Sequence, residues 1–155
     1  MATITVSRIV NAPVAEVWRS WDDFGTIDLF NPHLSRSFLL DEGAATGLGA
    51  KRQCDLKDGK NYIREEITAY VPERVMEIDI YDGTMPLRSA VARIEFEPLG
   101  PNRTEVQFTM RFTPKFGAIG RMMVPLMKRQ FSKMLGDLLD GNAGYIEGEL
   151  VDAAN

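Results

Sequence analysis

The stretch Lys51-Arg52-Gln53-Cys54-Asp55-Leu56-Lys57-Asp58-Gly59-Lys60-Asn61-Tyr62-Ile63-Arg64-Glu65-Glu66-Ile67 reads as two alternating strands joined at Asp58-Gly59. Asp-Gly between such strands favours a two-residue turn with positive φ, a strong short-range hairpin signal. That turn sets Lys57 opposite Lys60 and fixes every later pair. Ala50 then faces Ile67, Cys54 faces Ile63, and Leu56 faces Asn61, all on one largely apolar side. The other side carries Lys51 with Glu66, Gln53 with Arg64, and Asp55 with Tyr62, and belongs in water. One pair breaks the apolar side: Arg52 stands opposite Glu65. It is either a structural ion pair, inside or near a wet rim, or a polar anchor within an apolar cavity. Its mere burial is weak evidence for stability, because hydrophobic replacements are often as stable.

Outward from this hairpin the period-two pattern continues from Ser35 to Phe112. Turn signals at Asp41-Glu42-Gly43, Val71-Pro72-Glu73, Asp82-Gly83 and Leu99-Gly100-Pro101-Asn102 divide it. The spacing predicts strands over 34–41, 49–57, 60–71, 74–82, 87–97 and 103–113, forming an antiparallel meander. Upstream, Thr3 to Val10 is a first strand. Asn11-Ala12-Pro13 then starts a short helix with Val14, Val17, Trp18 and Trp21 at helical spacing, and a second short helix runs to Phe30.

After Pro114 the pattern is helical to the end. Met127, Phe131, Met134, Leu138 and Tyr145 share one face, with Arg129, Lys133, Gly136, Asp140 and Glu147 on the opposite one. Pro125 either begins the regular part of this helix or kinks it. The fold class is therefore α+β: a curved seven-stranded antiparallel sheet around a long C-terminal helix, with two short helices after the first strand. A twisted sheet with one apolar face has only this helix to cover it, and the space between them suits a ligand.

The 155 residues fit one domain over 1–155, able to bury roughly 70% of its unfolded surface. The net charge of −4 argues against a nucleic-acid binder. A single cysteine forms no internal disulfide, and the first residues read as strand rather than as a secretion signal, so a cytoplasmic location is expected. His33 and Cys54 are the only residues of their types, too few for a zinc site of the usual kind. Gly47-Leu48-Gly49 precedes a strand, not a helix, and does not read as a dinucleotide loop. No cofactor or metal is expected. His33 beside Pro32 reads as a solvated loop residue.

Several stretches together resemble the START-like, or SRPBCC, superfamily, which includes polyketide cyclase/dehydrase-like and lipid-transfer proteins. They are Ile9-Val10-Asn11-Ala12-Pro13-Val14-Ala15-Glu16-Val17-Trp18 with Asp23-Phe24, Gly49-Ala50-Lys51-Arg52, Asp58-Gly59, and Glu65-Glu66-Ile67. Asp82-Gly83-Thr84-Met85-Pro86-Leu87 is similar to that family's Gly-x-x-Pro loop at a pocket mouth, and Phe112-Thr113-Pro114 also fits. The resemblance implies a helix-grip fold with an internal cavity, and places the family's typical Arg and Glu on Arg52 and Glu65. It does not by itself settle function. Two departures stand out. Phe30-Asn31-Pro32 replaces a Trp-x-Pro, and Ala90 falls where an aromatic is common.

The expected pocket combines Arg52, Cys54, Ile63, Glu65 and Ile67 of the hairpin with Ile78, Ile80 and Met85. Ala90, Ala92, Phe108 and Met110 add the next strands, and Met123, Met127, Phe131 and Met134 the helix. Small Ala90 and Ala92 leave room for a bulkier ligand, so filling Ala90 with Trp should block binding and spare the fold. Three functions suit this pocket. The first is binding or carriage of a small hydrophobic ligand, such as a lipid, a polyketide or another aromatic or isoprenoid metabolite. The second is a cyclase/dehydratase-type enzyme with Glu65 as acid/base and Arg52 positioning the substrate. The third is a regulatory module signalling occupancy through the Gly83–Leu87 loop. From Val106 to Gly136 six basic residues meet no acidic one, whereas Asp137 to Asp152 holds five acidic and no basic ones. This order opposes the helix dipole. It reads as a solvated face, or as a transient membrane contact through Arg121, Lys128, Arg129 and Lys133.

Overall fold

A computed structural model describes residues 1–40 and 44–154. The expected turn at Asp41-Glu42-Gly43 lies outside the described residues. Strands β1 (Ala2–Val10), β2 (Leu34–Leu39), β3 (Lys51–Leu56), β4 (Tyr62–Val71), β5 (Val75–Gly83), β6 (Leu87–Gly100) and β7 (Arg103–Pro114) form one sheet. The order is β1-β7-β6-β5-β4-β3-β2, and every neighbouring pair is antiparallel. Helix α1 (Val14–Asp22) and a 3-10 turn (Phe24–Leu29) follow β1, and helix α2 (Gly117–Ala154) closes the chain. This is a helix-grip α+β fold.

Alternation makes the sheet one-sided. Val106, Phe108, Met110 and Phe112 of β7 are buried, as are Ala90, Ala92, Ile94 and Phe96 of β6. Strand β6 runs on to Gly100 and β7 to Pro114, slightly beyond the expected bounds. Helix α1 carries Glu16 in its first turn and Arg19 in its last, matching the dipole, and buries Val17, Trp18 and Trp21. Pro13 occupies its cap rather than its first turn. Trp21 Nε1 donates to Oδ1 of the fully buried Asn142 at 3.1 Å, which ties α1 to α2.

The hairpin register is as read: Arg52 pairs with Glu65 and Cys54 with Ile63. The turn itself differs from the two-residue form. Leu56 N–H donates to the Asn61 carbonyl at 2.9 Å, so four residues, Lys57 to Lys60, make the loop. Only Gly59 has positive φ, 75°. Asp58 instead accepts the N–H groups of Lys60 and Asn61 through Oδ1, both at 2.8 Å. Two- and four-residue loops centred on the same bond leave the register unchanged, so the faces survive the different turn.

Of the two readings of Pro125, that it begins the regular helix does not hold. Regular helix begins at Gly117, well before Pro125, and runs through it. Proline removes the bond to the Arg121 carbonyl, in a turn that is exposed on its outer side. On the face opposite the sheet, Arg129, Lys133 and Asp140 are exposed, yet strand β1 reaches part of it. Gly136 is buried, Arg8 Nε donates to Asp140 Oδ1 at 2.8 Å, and the Asn11 N–H donates to Glu147 Oε1 at 2.9 Å. The sheet curls far enough that β1 wraps round the helix and takes up this second face.

Candidate functional site

A cavity of about 120 Å³ lies between the sheet and α2. A cavity of similar size in another protein stays dry and admits benzene, so this one accommodates a small ring without rearrangement. Of the expected pocket residues, Arg52, Cys54, Ile63, Glu65, Ile78 and Ile80 line it. So do Met85, Ala92, Phe108, Met110, Phe131 and Met134. Four others do not. Ile67 and Ala90 are buried on the same side but beyond the cavity, and Met127 is buried away from it. Met123 is 47% exposed, as are most residues in the first turns of α2.

Ala90 is the instructive case. It pairs with Phe112, whose ring meets Phe131 edge-on at 5.0 Å, so aromatic side chains already occupy the space beside it. Ala92 pairs with Ile78 on one side and Met110 on the other, all three on the cavity wall.

The polar end of the cavity is the hairpin pair. Arg52 Nε donates to Glu65 Oε1 at 2.9 Å, with side chains only 3% and 9% exposed. Arg52 Nη1 donates to the Phe24 carbonyl at 3.0 Å, and its guanidinium carbon lies 3.9 Å from the Phe24 ring centre. Phe24 therefore holds the arginine through both backbone and ring, a contact that alternation within the hairpin does not reveal. Arg52 Nη2 and Glu65 Oε2 have no hydrogen-bond partner among the described residues. No sealed-off side-chain nitrogen or oxygen there lacks a partner, so these two atoms keep access to open space, and both residues border the cavity.

Cys54 donates its thiol to Glu65 Oε1 at 3.3 Å. Burial first, then the charge of Glu65, pushes the thiol well above its ordinary value near 9.0, while Arg52 pulls the other way. The folded value exceeds the unfolded one, so the resulting stability is fully present below about pH 9 and is lost as pH rises further. Cys54 should therefore resist a thiol reagent at about pH 8 in the native protein and react on unfolding. Rapid native labelling would contradict this.

His33 lies in a turn, as its sequence context implies, but it is only partly solvated. It lines the cavity with Asn31, and its Nε2 lies 2.9 Å from Asp137 Oδ2 on α2. Lys133 Nζ donates to the same oxygen at 3.0 Å, and these two partners, lysine first, hold the Asp137 carboxyl below its ordinary range. Trp21, Ile27, Leu34, Leu56, Leu87, Leu135 and Leu138 complete the wall. Leu56 on the hairpin face, Leu87 at the end of the pocket-mouth loop, Trp21 on the apolar side of α1 and Leu138 on the sheet-facing side have a local signal; Ile27, Leu34 and Leu135 have none. A second cleft, about 620 Å³, lies outside, between α1 and the end of α2. It is larger, but its walls mix Leu29, Phe30 and Ile146 with charged Glu16, Arg19, Asp23 and Glu149. The predominantly apolar cavity between the sheet and α2 is the better candidate site.

Similar architectures are known. A START superfamily protein from Mycobacterium smegmatis superposes with a TM-score of 0.79 at 17% identity, covering 94% of this chain and 97% of that one. XoxI from Bacillus cereus gives 0.76 at 20% identity, over 94% and 96%. Norcoclaurine synthase from Thalictrum flavum gives 0.73 at 13%, over 94% and 92%. At such identities these likenesses establish the fold alone. Among curated proteins, none matches the sequence. The model of the family described as polyketide cyclase/dehydrase and lipid transport matches residues 1–147, and the chain belongs to that family.

Proposed function

We propose that this protein binds and carries a small hydrophobic molecule with a polar end, held in the cavity between the sheet and α2. The observation that carries this reading is an apolar cavity on which Arg52 Nη2 and Glu65 Oε2 are left side by side for a guest. A hydroxyl, phenol or enol satisfies both, accepting from the guanidinium and donating to the carboxylate. The rest of the guest displaces water from aliphatic walls, a gain of roughly 25 cal/mol per Å² buried. Hydrogen bonds to charged groups add roughly 1.5–3 kcal/mol each, so the polar end supplies orientation as well as affinity.

The test compares p-cresol with p-xylene, equal in shape and differing by one hydroxyl, in the native protein and in the double variant Arg52→Met/Glu65→Leu. Both should bind the native protein, and the cresol-to-xylene affinity ratio should fall at least about tenfold in the variant. An unchanged ratio would mean that the pair does not read a polar end. If neither compound binds and native mass spectrometry finds no co-purified small molecule, the carrier reading is lost.

One observation favours a second reading. Cyclase/dehydratase-type chemistry moves protons at two places on a substrate, and His33, oriented by Asp137, is a second proton-transfer group on the same cavity as Glu65. If the protein turns over a β-keto substrate, Glu65→Gln and His33→Gln should each abolish turnover while leaving p-xylene binding intact.

A further inference from the structure

The first turns of α2 leave an apolar stripe uncovered. Phe116, Ile119, Met122, Met123 and Leu126 are 70%, 71%, 81%, 47% and 48% exposed. Within the helix, Ile119, Met122 and Leu126 recur at helical spacing on one side, away from buried Met127 and Phe131. The stripe then changes character. Ile119, Met122, Leu126, Arg129 and Lys133 succeed one another in steps of three and four, so the apolar row runs directly into a basic one. Arg121 and Lys128 are exposed on the helix flank, and Lys115 precedes the helix. No acidic residue lies between Val106 and Gly136, although the protein as a whole is negative. Helix α2 is thus polarised, basic over its first half and acidic from Asp137 onward.

From this we infer that the exposed start of α2 docks on an anionic lipid bilayer surface. An amphipathic helix of this kind seats its apolar row in the boundary between headgroups and acyl chains, while basic side chains meet anionic headgroups. The charges speak against a second copy as the occupant. A two-fold contact brings a patch against itself, and would set Arg121, Lys128, Arg129 and Lys133 near their own copies. An anionic surface neutralises them instead. The position also fits passage of an apolar guest, a consequence that rests on the carrier reading. The Lys115 N–H donates to the Pro86 carbonyl at 3.1 Å, which joins the start of the stripe to the loop between β5 and β6. Met85 and Leu87 of that loop are cavity wall. A bilayer under the stripe therefore lies beside the loop bordering the cavity.

Co-sedimentation with vesicles tests this, using phosphatidylcholine alone and phosphatidylcholine mixed with phosphatidylglycerol. The native protein should bind the mixed vesicles, and binding should weaken as salt is added. Arg121→Glu/Arg129→Glu and Ile119→Ser/Met122→Ser should each lower that binding at least about tenfold. All four positions are exposed and none lines the cavity. Both variants should keep the native unfolding midpoint and p-xylene affinity, which separates a failure of docking from a failure of the carrier reading. Equal or absent binding to the two vesicle types would overturn the inference, as would variants that bind like the native protein. A dimer in sedimentation equilibrium that Ile119→Ser/Met122→Ser dissolves, without vesicle binding, would make the stripe a self-contact and equally overturn it.

Discussion

Arg52→Met alone is expected to cost about 3–5 kcal/mol of stability, because it leaves the Glu65 carboxylate buried without its partner. Glu65→Leu should cost a similar amount, stranding the guanidinium against the Phe24 ring. The double variant removes both charges, so most of that loss should be recovered. Binding should not follow stability. The cavity of the double variant offers neither Nη2 nor Oε2, and affinity for a hydroxyl-bearing guest should stay low. Denaturant unfolding and p-cresol titration on the native protein, both single variants and the double variant form the cycle. Recovery of both properties would make the pair purely structural. Single variants that lose almost nothing would show that water reaches the pair.

The second large effect separates two alanines on one strand. Ala90→Trp should destabilise by at least the upper end of about 1–3 kcal/mol, since Phe112 and Phe131 already fill the neighbouring space. Ala92→Leu should change stability by less than about 1.5 kcal/mol, because its added atoms enter the cavity. The same substitution should lower p-xylene affinity at least about tenfold by occupying the guest's volume. Thermal unfolding and p-xylene titration decide the matter. A tolerated Ala90→Trp that blocks binding would restore the cavity to Ala90, and an Ala92→Leu protein that binds normally would place the guest elsewhere.

The contrast between these alanines marks how far the sequence reaches. Period two puts both on the concave side of β6, and it does so correctly. Which of them faces open space depends on where Phe112 and Phe131 point, and those belong to β7 and α2, distant in sequence. Met123 shows the same limit from the helix. Its spacing to Met127 is compatible with an inward position, yet it is half exposed where Met127 is buried, and no local pattern tells one turn of the helix from the next.

What the sequence determined on its own is everything governed by neighbours along the chain. Alternation and turn chemistry specify the strands, helical spacing specifies α2, and the parity of the hairpin loop sets Arg52 across from Glu65 whatever turn is used. The tertiary structure alone decided what meets across long separations. It brings the Phe24 carbonyl and ring onto Arg52, sets His33 against Asp137 beside the cavity, and wraps β1 over Gly136 and Asp140. The physical reason is that backbone geometry repeats within a few residues and so prints a period on the sequence. Side-chain contacts between separate elements depend instead on sheet curvature and packing, which many different residues satisfy and no single residue announces.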